Sequence, residues 1–132
     1  MKTYQITNNA GKTITLTPTV GLYKVHDFMG KELPGLAVIM YEVTPTGRRK
    51  YDIITVSFGE FIGPKNCVYI DLNNKPWAEQ LLAQGFAKET DFKKKSGFCT
   101  YPLWELDEDM LNECGGKKYK QYLKAREDYM PF

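Results

Sequence analysis

The sequence predicts an α+β domain: one twisted, mostly antiparallel sheet of five to six strands, with two to three helices packed mainly on one face. Three features carry this expectation. Apolar and polar residues alternate through the first two-thirds of the chain, as in half-buried strands. After Asn74 the apolar spacing becomes helical. Finally, a glycine pair, Gly115-Gly116, divides a helical C-terminus.

Each element has a local reason. Thr3–Thr7 and Thr13–Thr17 alternate around Asn8-Asn9-Ala10-Gly11, whose residue types tolerate a tight turn, so they predict a hairpin. Val20–Val25 is a third strand, broken by Asp27–Pro34 with its Gly30 and Pro34. Leu36–Val43 is almost wholly apolar and belongs at the sheet centre. Tyr51–Phe58 returns after the turn Thr44–Gly47, and Asn66–Leu72 follows as a further strand. Asn74 is placed to cap a helix with Pro76 in its first turn, and Gly85 to close it. Lys93–Gly97 is expected as an exposed loop. Phe98–Leu106 is extended, with Pro102 marking an edge strand, a bulge or a strand end. Asp107 caps a short helix, and Lys117–Tyr129 carries the stripe Tyr119, Tyr122, Leu123, continued by Met130. The expected core is Leu16, Ile39, Ile54, Val56, Val68, Ile70, Leu81, Leu82, Leu103 and Leu111.

With 132 residues and no linker or repeat, the whole chain 1–132 is expected to be a single domain. Its 42% apolar and 26% charged residues suit a globular chain. The net charge of +2, from 18 basic and 16 acidic residues, supplies no general attraction to phosphate, so nucleic-acid binding requires a concentrated basic face. The longest apolar run, Leu36–Tyr41, is far shorter than the roughly 20 residues of a membrane helix. Three cysteines, Cys67, Cys99 and Cys114, leave one unpaired within the chain, and no leader-like segment precedes them. Reduced thiols in a cytoplasm are the expectation, with no membrane partner.

Two segments concentrate polar and aromatic character. In Tyr69–Trp77, Asp71, Asn73 and Asn74 gather at a helix start beside Trp77, where free backbone N–H groups accept a polar ligand. The plainer role for these residues is to satisfy the turn. In Ser96–Trp104, Phe98, Tyr101 and Trp104 crowd one proline after Ser96, a composition common at binding surfaces and also in cores. Tyr101-Pro102 is also a bond at which a cis peptide is cheap.

The remaining chemistry is thin. Cys99 lacks an adjacent base, since the single histidine, His26, is remote in sequence. No cysteines stand at short zinc-ligand spacing, so neither metal nor cofactor is expected. The acidic group Glu105, Asp107, Glu108, Asp109 and Glu113 precedes a lysine-rich helix and reads as solvated charge. No phosphate-cradling glycine motif is present. Basic clusters at Arg48, Arg49 and Lys50 and at Lys93, Lys94 and Lys95, with the C-terminal helix, form a nucleic-acid surface if folding brings them together with exposed aromatics.

Cys67–Trp77 (CVYIDLNNKPW) and Ser96–Leu106 (SGFCTYPLWEL), separated by a short helix, resemble a family of small uncharacterised bacterial proteins. That family is a domain of unknown function, often found on conjugative transposons and phage-like elements. The likeness runs from about Asn66 to Met110 and rests on Tyr69, Asp71, Asn73, Asn74, Ser96, Gly97, Tyr101 and Pro102. It implies a cytoplasmic accessory protein of a mobile element and supplies no activity, cofactor or catalytic residue. The functional expectation is therefore a non-enzymatic binding or accessory protein with a protein partner. The alternatives are nucleic-acid binding through basic loops and exposed aromatics, and an enzyme of unrecognised type.

Overall fold

The computed structural model describes residues 2–130. Strands β1 (Tyr4–Thr7), β2 (Thr13–His26), β3 (Glu32–Thr44) and β4 (Gly47–Ile53) form one antiparallel sheet in that order. Strands β5 (Thr55–Val56), β6 (Cys67–Ile70), β7 (Ala87–Ser96) and β8 (Cys99–Leu106) form a second, ordered β5-β6-β8-β7. A 3-10 helix (Pro76–Gln84) lies between β6 and β7, and α1 (Glu108–Cys114) and α2 (Gly116–Tyr129) follow β8.

The expected single sheet is thus two sheets of four strands each. The reason lies at Ile54. Its N–H donates to the Val38 carbonyl of β3 at 3.1 Å, and its own carbonyl accepts from Asp71 N–H at 2.9 Å. The apolar run Tyr51–Phe58 therefore leaves one sheet and enters the next at this residue. Residues on both sides bury into one core, with Leu16, Val38, Ile54, Ile70 and Leu81 wholly inaccessible. Burying each such aliphatic side chain stabilises by about 1.5–3 kcal/mol.

Thr13–Thr17 and Val20–Val25, expected as separate strands, are one strand. Pro18 does not interrupt it. Gln5 and Thr7 turn their backbone groups outward, so Tyr4 and Ile6 face β2, and Leu16 and Pro18 share the side facing β1. Because β1 ends opposite Leu16, the missing N–H of Pro18 costs no ladder bond.

The outer edge of β1 is closed by side chains. Gln84 accepts from Gln5 N–H at 2.8 Å and donates to Gln5 O at 2.7 Å. Gln80 repeats the pattern on Thr7, at 2.8 and 3.0 Å. Both glutamines come from the 3-10 helix, so that helix covers an edge that would otherwise be free to pair. Asn74 does not cap this helix; Lys75 occupies the cap position without a side-chain bond, while Gly85 closes it at φ 78°. The cap expected at Asp107 forms, its carboxylate accepting from Met110 N–H at 3.0 Å.

Lys93–Lys95 and Ser96, expected in a loop, belong to β7. β8 is an inner strand, and Pro102 falls just past Leu103, the last β8 residue paired with β6. None of the peptide bonds among the described residues is cis, Tyr101–Pro102 included. Of the expected core, Ile39, Val56 and Leu82 are only half-buried, and the rest are buried.

The β2–β3 loop is pinned to the C-terminal helix. Asp27 accepts from Met29 N–H at 2.9 Å, from Lys31 N–H at 2.8 Å and from the Tyr129 hydroxyl at 2.6 Å. The Tyr129 hydrogen bond, then the backbone N–H of Lys31, hold the Asp27 carboxyl below its ordinary 3.8. A carboxyl depressed on folding stabilises the fold above its unfolded pKa, and that stabilisation is lost as pH falls through the folded value. Asp27→Asn is therefore expected to lower Tm at neutral pH. The difference from wild type should vanish in acid below the ordinary carboxylate range. A difference that stays constant in thermal melts across that range would contradict the coupling.

Candidate functional site

The two segments marked by the sequence meet in space. Asn73, just after β6, donates its side-chain amide to the Thr100 carbonyl of β8 at 3.1 Å. Asp71 is engaged locally, accepting from Asn74 at 3.1 and 3.3 Å and from Lys75 at 3.5 Å. Lys75 also reaches Asp52 at 3.7 Å, so one ammonium bridges two carboxylates. The asparagines and Asp71 thus satisfy the turn and tie it to β8.

Trp104 is not part of the surface. It is 1 % exposed, inside the core, and its indole N–H has no hydrogen-bond partner among the described residues. Alternation decides this: Trp104 pairs with Val68 of β6, on the face turned to the interior. Tyr101, three residues earlier, lies on the opposite face and is half-buried. Its ring meets Phe58 edge-on at 5.2 Å, and Phe58 meets Tyr69 at 5.4 Å. Burial, then the neighbouring Cys99 thiol and the Asp71 carboxylate, push the Tyr101 phenol up. Ser96 is exposed at the hairpin end, where Gly97 takes φ 60° as the first residue of the two-residue loop.

A cleft lies at Trp77. Its ring meets Tyr51 of β4 edge-on, with centroids 5.2 Å apart and planes at 76°. Together with Asn8, Asn9, Ala10, Asn74 and Pro76 they line an open cleft of about 360 Å³. The β1–β2 turn forms one wall. Asn8 fixes that turn by accepting from Ala10 N–H at 3.0 Å and Lys12 N–H at 2.9 Å. Tyr51, Asn8 and Asn9 were not marked by the sequence. Tyr51 read as one more strand residue and the asparagines as turn chemistry, and only the packing of the 3-10 helix beside β1 brings them to Trp77.

The basic clusters lie on different sheets, Arg48–Lys50 on β4 of the first and Lys93–Lys95 on β7 of the second. Arg48 stacks over Tyr41 and Arg49 pairs with Glu42 at 3.1 Å. Lys94 pairs with Glu60 and lies over the Phe58 ring, 5.3 Å from its centroid. Lys93 and Lys95 remain exposed, flanked on the same hairpin by exposed Phe92 and Phe98. Phe92, and Phe28 and Met29 at the tip of the β2–β3 loop, were not singled out; for Phe28 and Met29 the neighbouring turn glycine, Gly30, is a signal that marks them.

Cys67 is buried and Cys99 and Cys114 partly so, all as free thiols. Burial pushes the Cys67 thiol up, and the Cys114 thiol up to about 11, which suits packing more than nucleophilic attack. Among the described residues no three His, Cys, Asp or Glu side chains group as metal ligands, and no helix is long and apolar enough to cross a membrane.

A model of the family described as domain of unknown function DUF4313 matches residues 23–126. The chain belongs to this family. The DUF4313 match runs from within β2 to within α2, so it takes in both stitched segments and the aromatic pair Tyr51–Trp77. The Asn8–Ala10 wall of the cleft lies outside it. No curated protein and no solved structure matches the chain.

Proposed function

We propose that the chain is a non-enzymatic binding or accessory protein of a bacterial mobile element, acting in the cytoplasm on a protein partner. The observation that carries the binding reading is the Tyr51–Trp77 cleft, rimmed by Asn8, Asn9 and Asn74. Amphipathic aromatic rings with polar neighbours on a rigid scaffold supply contact area at little entropic cost. Asp71 and Asn73 support it by fixing the adjoining turn to β8. Tyr101 and Ser96 extend the surface toward the hairpin tip. Support for a mobile-element origin is the resemblance of the Cys67–Trp77 and Ser96–Leu106 segments to proteins found on such elements; transfer or phage genes beside the coding sequence would agree with it, and a neighbourhood of housekeeping genes would sink it.

The test is affinity capture from the native host with wild type and Asn9→Arg. Asn9 is exposed and makes no hydrogen bond among the described residues, so the arginine obstructs the cleft without disturbing the core. A protein retained by wild type and lost with the variant, at unchanged Tm, is the expected result. Capture that ignores the variant would refute the cleft as the binding site.

One observation favours a second reading. Exposed Phe92 and Phe98 flank the exposed Lys93 and Lys95, pairing stacking surfaces with positive charge as single-strand nucleic-acid binders do. Fluorescence polarisation with a single-stranded oligonucleotide at low and moderate salt tests it. Salt-sensitive binding that Lys93→Glu with Lys95→Glu removes is expected, and absence of salt-sensitive binding would exclude it.

A further inference from the structure

The exposed large apolar side chains gather at one end of the fold. Strands β2 and β7 both start beside the 3-10 helix: Gln80 and Gln84 bond β1 opposite Thr13 and Thr15, and β7 follows the helix after Gly85 and Phe86. Both strands reach Glu60 near their far ends, where His26 bridges its backbone and the Lys94 ammonium pairs with its carboxylate. The two hairpin tips therefore project from the same end, with Phe28 and Met29 on one and Phe98 on the other. Phe92 lies on the second hairpin, and Met130 follows Tyr129, whose hydroxyl holds Asp27. These five are the exposed large apolar residues among those described. The three phenylalanines alone present on the order of 500 Å² to water, where a monomer rarely exposes more than a few hundred in one place.

The same end carries a hole. Phe61, Ile62, Pro64, Tyr69, Phe92 and Leu103 line a pocket of about 200 Å³ between the loop after β5 and the face of the second sheet turned away from Trp104. A cavity of roughly 150 Å³ holds benzene, so there is room for a phenyl ring. Glu60 stands at the pocket edge with its charge answered by Lys94. Lys93 and Lys95 alternate to the opposite face of β7 and do not line it. The pocket is thus apolar and without net charge. Phe98 is a knob of matching chemistry. It is fully exposed, so the pocket of its own chain does not hold it, and it sits in a two-residue loop between the paired Ser96 and Cys99. Its position is fixed before any contact forms.

We propose that two copies of the chain associate through this end about a two-fold axis, each placing Phe98 in the pocket of the other. An isologous contact requires one surface that carries both halves of the fit, and this end carries both. The contact shares no residue with the Tyr51–Trp77 cleft, which lies at the opposite end beside the 3-10 helix, so it stands apart from the binding reading above. A ring in an uncharged pocket releases no counterions, so its strength should not fall with salt as a nucleic-acid contact does.

Light scattering after size exclusion reads the mass of the full chain from low to high micromolar. A monomer–dimer equilibrium is expected, unchanged between low and moderate salt. Phe98→Ser should weaken it by about tenfold or more at unchanged Tm, because the ring is fully exposed in the single chain. Gly63→Leu should act from the other side. Gly63 lines the pocket, needs no positive φ, and an added Cβ meets nothing within 4 Å. The two losses are complementary. Phe98→Ser keeps the hole and Gly63→Leu keeps the knob, so a mixture restores one of the two contacts and should dimerise more strongly than either variant alone. A wild-type chain that stays monomeric, a dimer that ignores both variants, or a mixture no better than its parts overturns the proposal. A monomer that instead sediments with phosphatidylcholine vesicles, and loses this with Phe98→Ser, overturns it in favour of a bilayer.

Discussion

Replacing Trp104 by alanine is expected to destabilise the protein by about 3–5 kcal/mol, as large-to-small changes at packed aromatic sites do. The indole is 1 % exposed and belongs to the cluster that both sheets share, so neither sheet can close over the space it leaves without moving the other. Urea unfolding read by tyrosine absorbance and circular dichroism measures the change. Trp104→Phe separates packing from polarity. Its indole N–H is buried with no hydrogen-bond partner among the described residues, and removing such a donor relieves a desolvation penalty of roughly 1–3 kcal/mol. That relief offsets the lost volume, so Trp104→Phe should cost far less than the alanine variant, within about 1.5 kcal/mol of wild type. Equal losses in the two variants would mean that the indole N–H finds a partner in solution.

The second large effect is expected at Asn66. This residue is buried and sits at φ 65°, the left-handed region in which most side chains are strained. Its backbone N–H donates to the Tyr122 hydroxyl at 2.9 Å, its side-chain oxygen accepts from the Tyr119 hydroxyl at 2.9 Å, and its carbonyl accepts from Leu106 N–H at 2.8 Å. One residue thereby joins the start of β6, the end of β8 and two turns of α2. Asn66→Ala adds conformational strain of about 1–2 kcal/mol and leaves the Tyr119 hydroxyl unpaired in the interior for about 1–3 kcal/mol more. Asn66→Gly removes the strain and keeps the orphaned hydroxyl. Glycine should therefore recover part of the alanine loss, and Asn66→Gly with Tyr119→Phe should recover most of the rest. Chemical denaturation of the three variants decides it. Glycine no better than alanine would assign the whole effect to the hydrogen bond.

These residues also mark how far the sequence could be read. The element types were legible because they follow from local periodicity. Gly85 and Asp107 close and cap their helices as their chemistry requires. What escaped depends on contacts between distant parts of the chain. The run Tyr51–Phe58 has no local mark at Ile54, where it changes sheets, because the change is set by Val38 on one side and Asp71 on the other. Pro18 looks like a strand end until β1 is known to stop opposite Leu16. Asn74 looks like a cap until Asp71 claims its amide. At the candidate site, the Asn73–Thr100 bond joins the Asp71–Trp77 and Ser96–Trp104 segments, which local pattern does not show, while Trp104 points inward because one residue of strand register decides its face. Asn66 reads as the first residue of a strand, and its two tyrosine partners lie more than fifty positions away.

The glutamine cover on β1 has a chemical lifetime as well as a geometry. Each side chain copies a peptide group, using its carbonyl for an N–H and its amide nitrogen for a carbonyl. Deamidation, whether by slow ageing or by an enzyme, would turn that copy into a carboxylate. The carbonyl half of the imitation would survive and the donor half would not. Gln5 O or Thr7 O would then face a negative charge where it now receives a hydrogen bond. Exchange of one amide nitrogen for oxygen would convert a closed strand edge into one that repels its own cover.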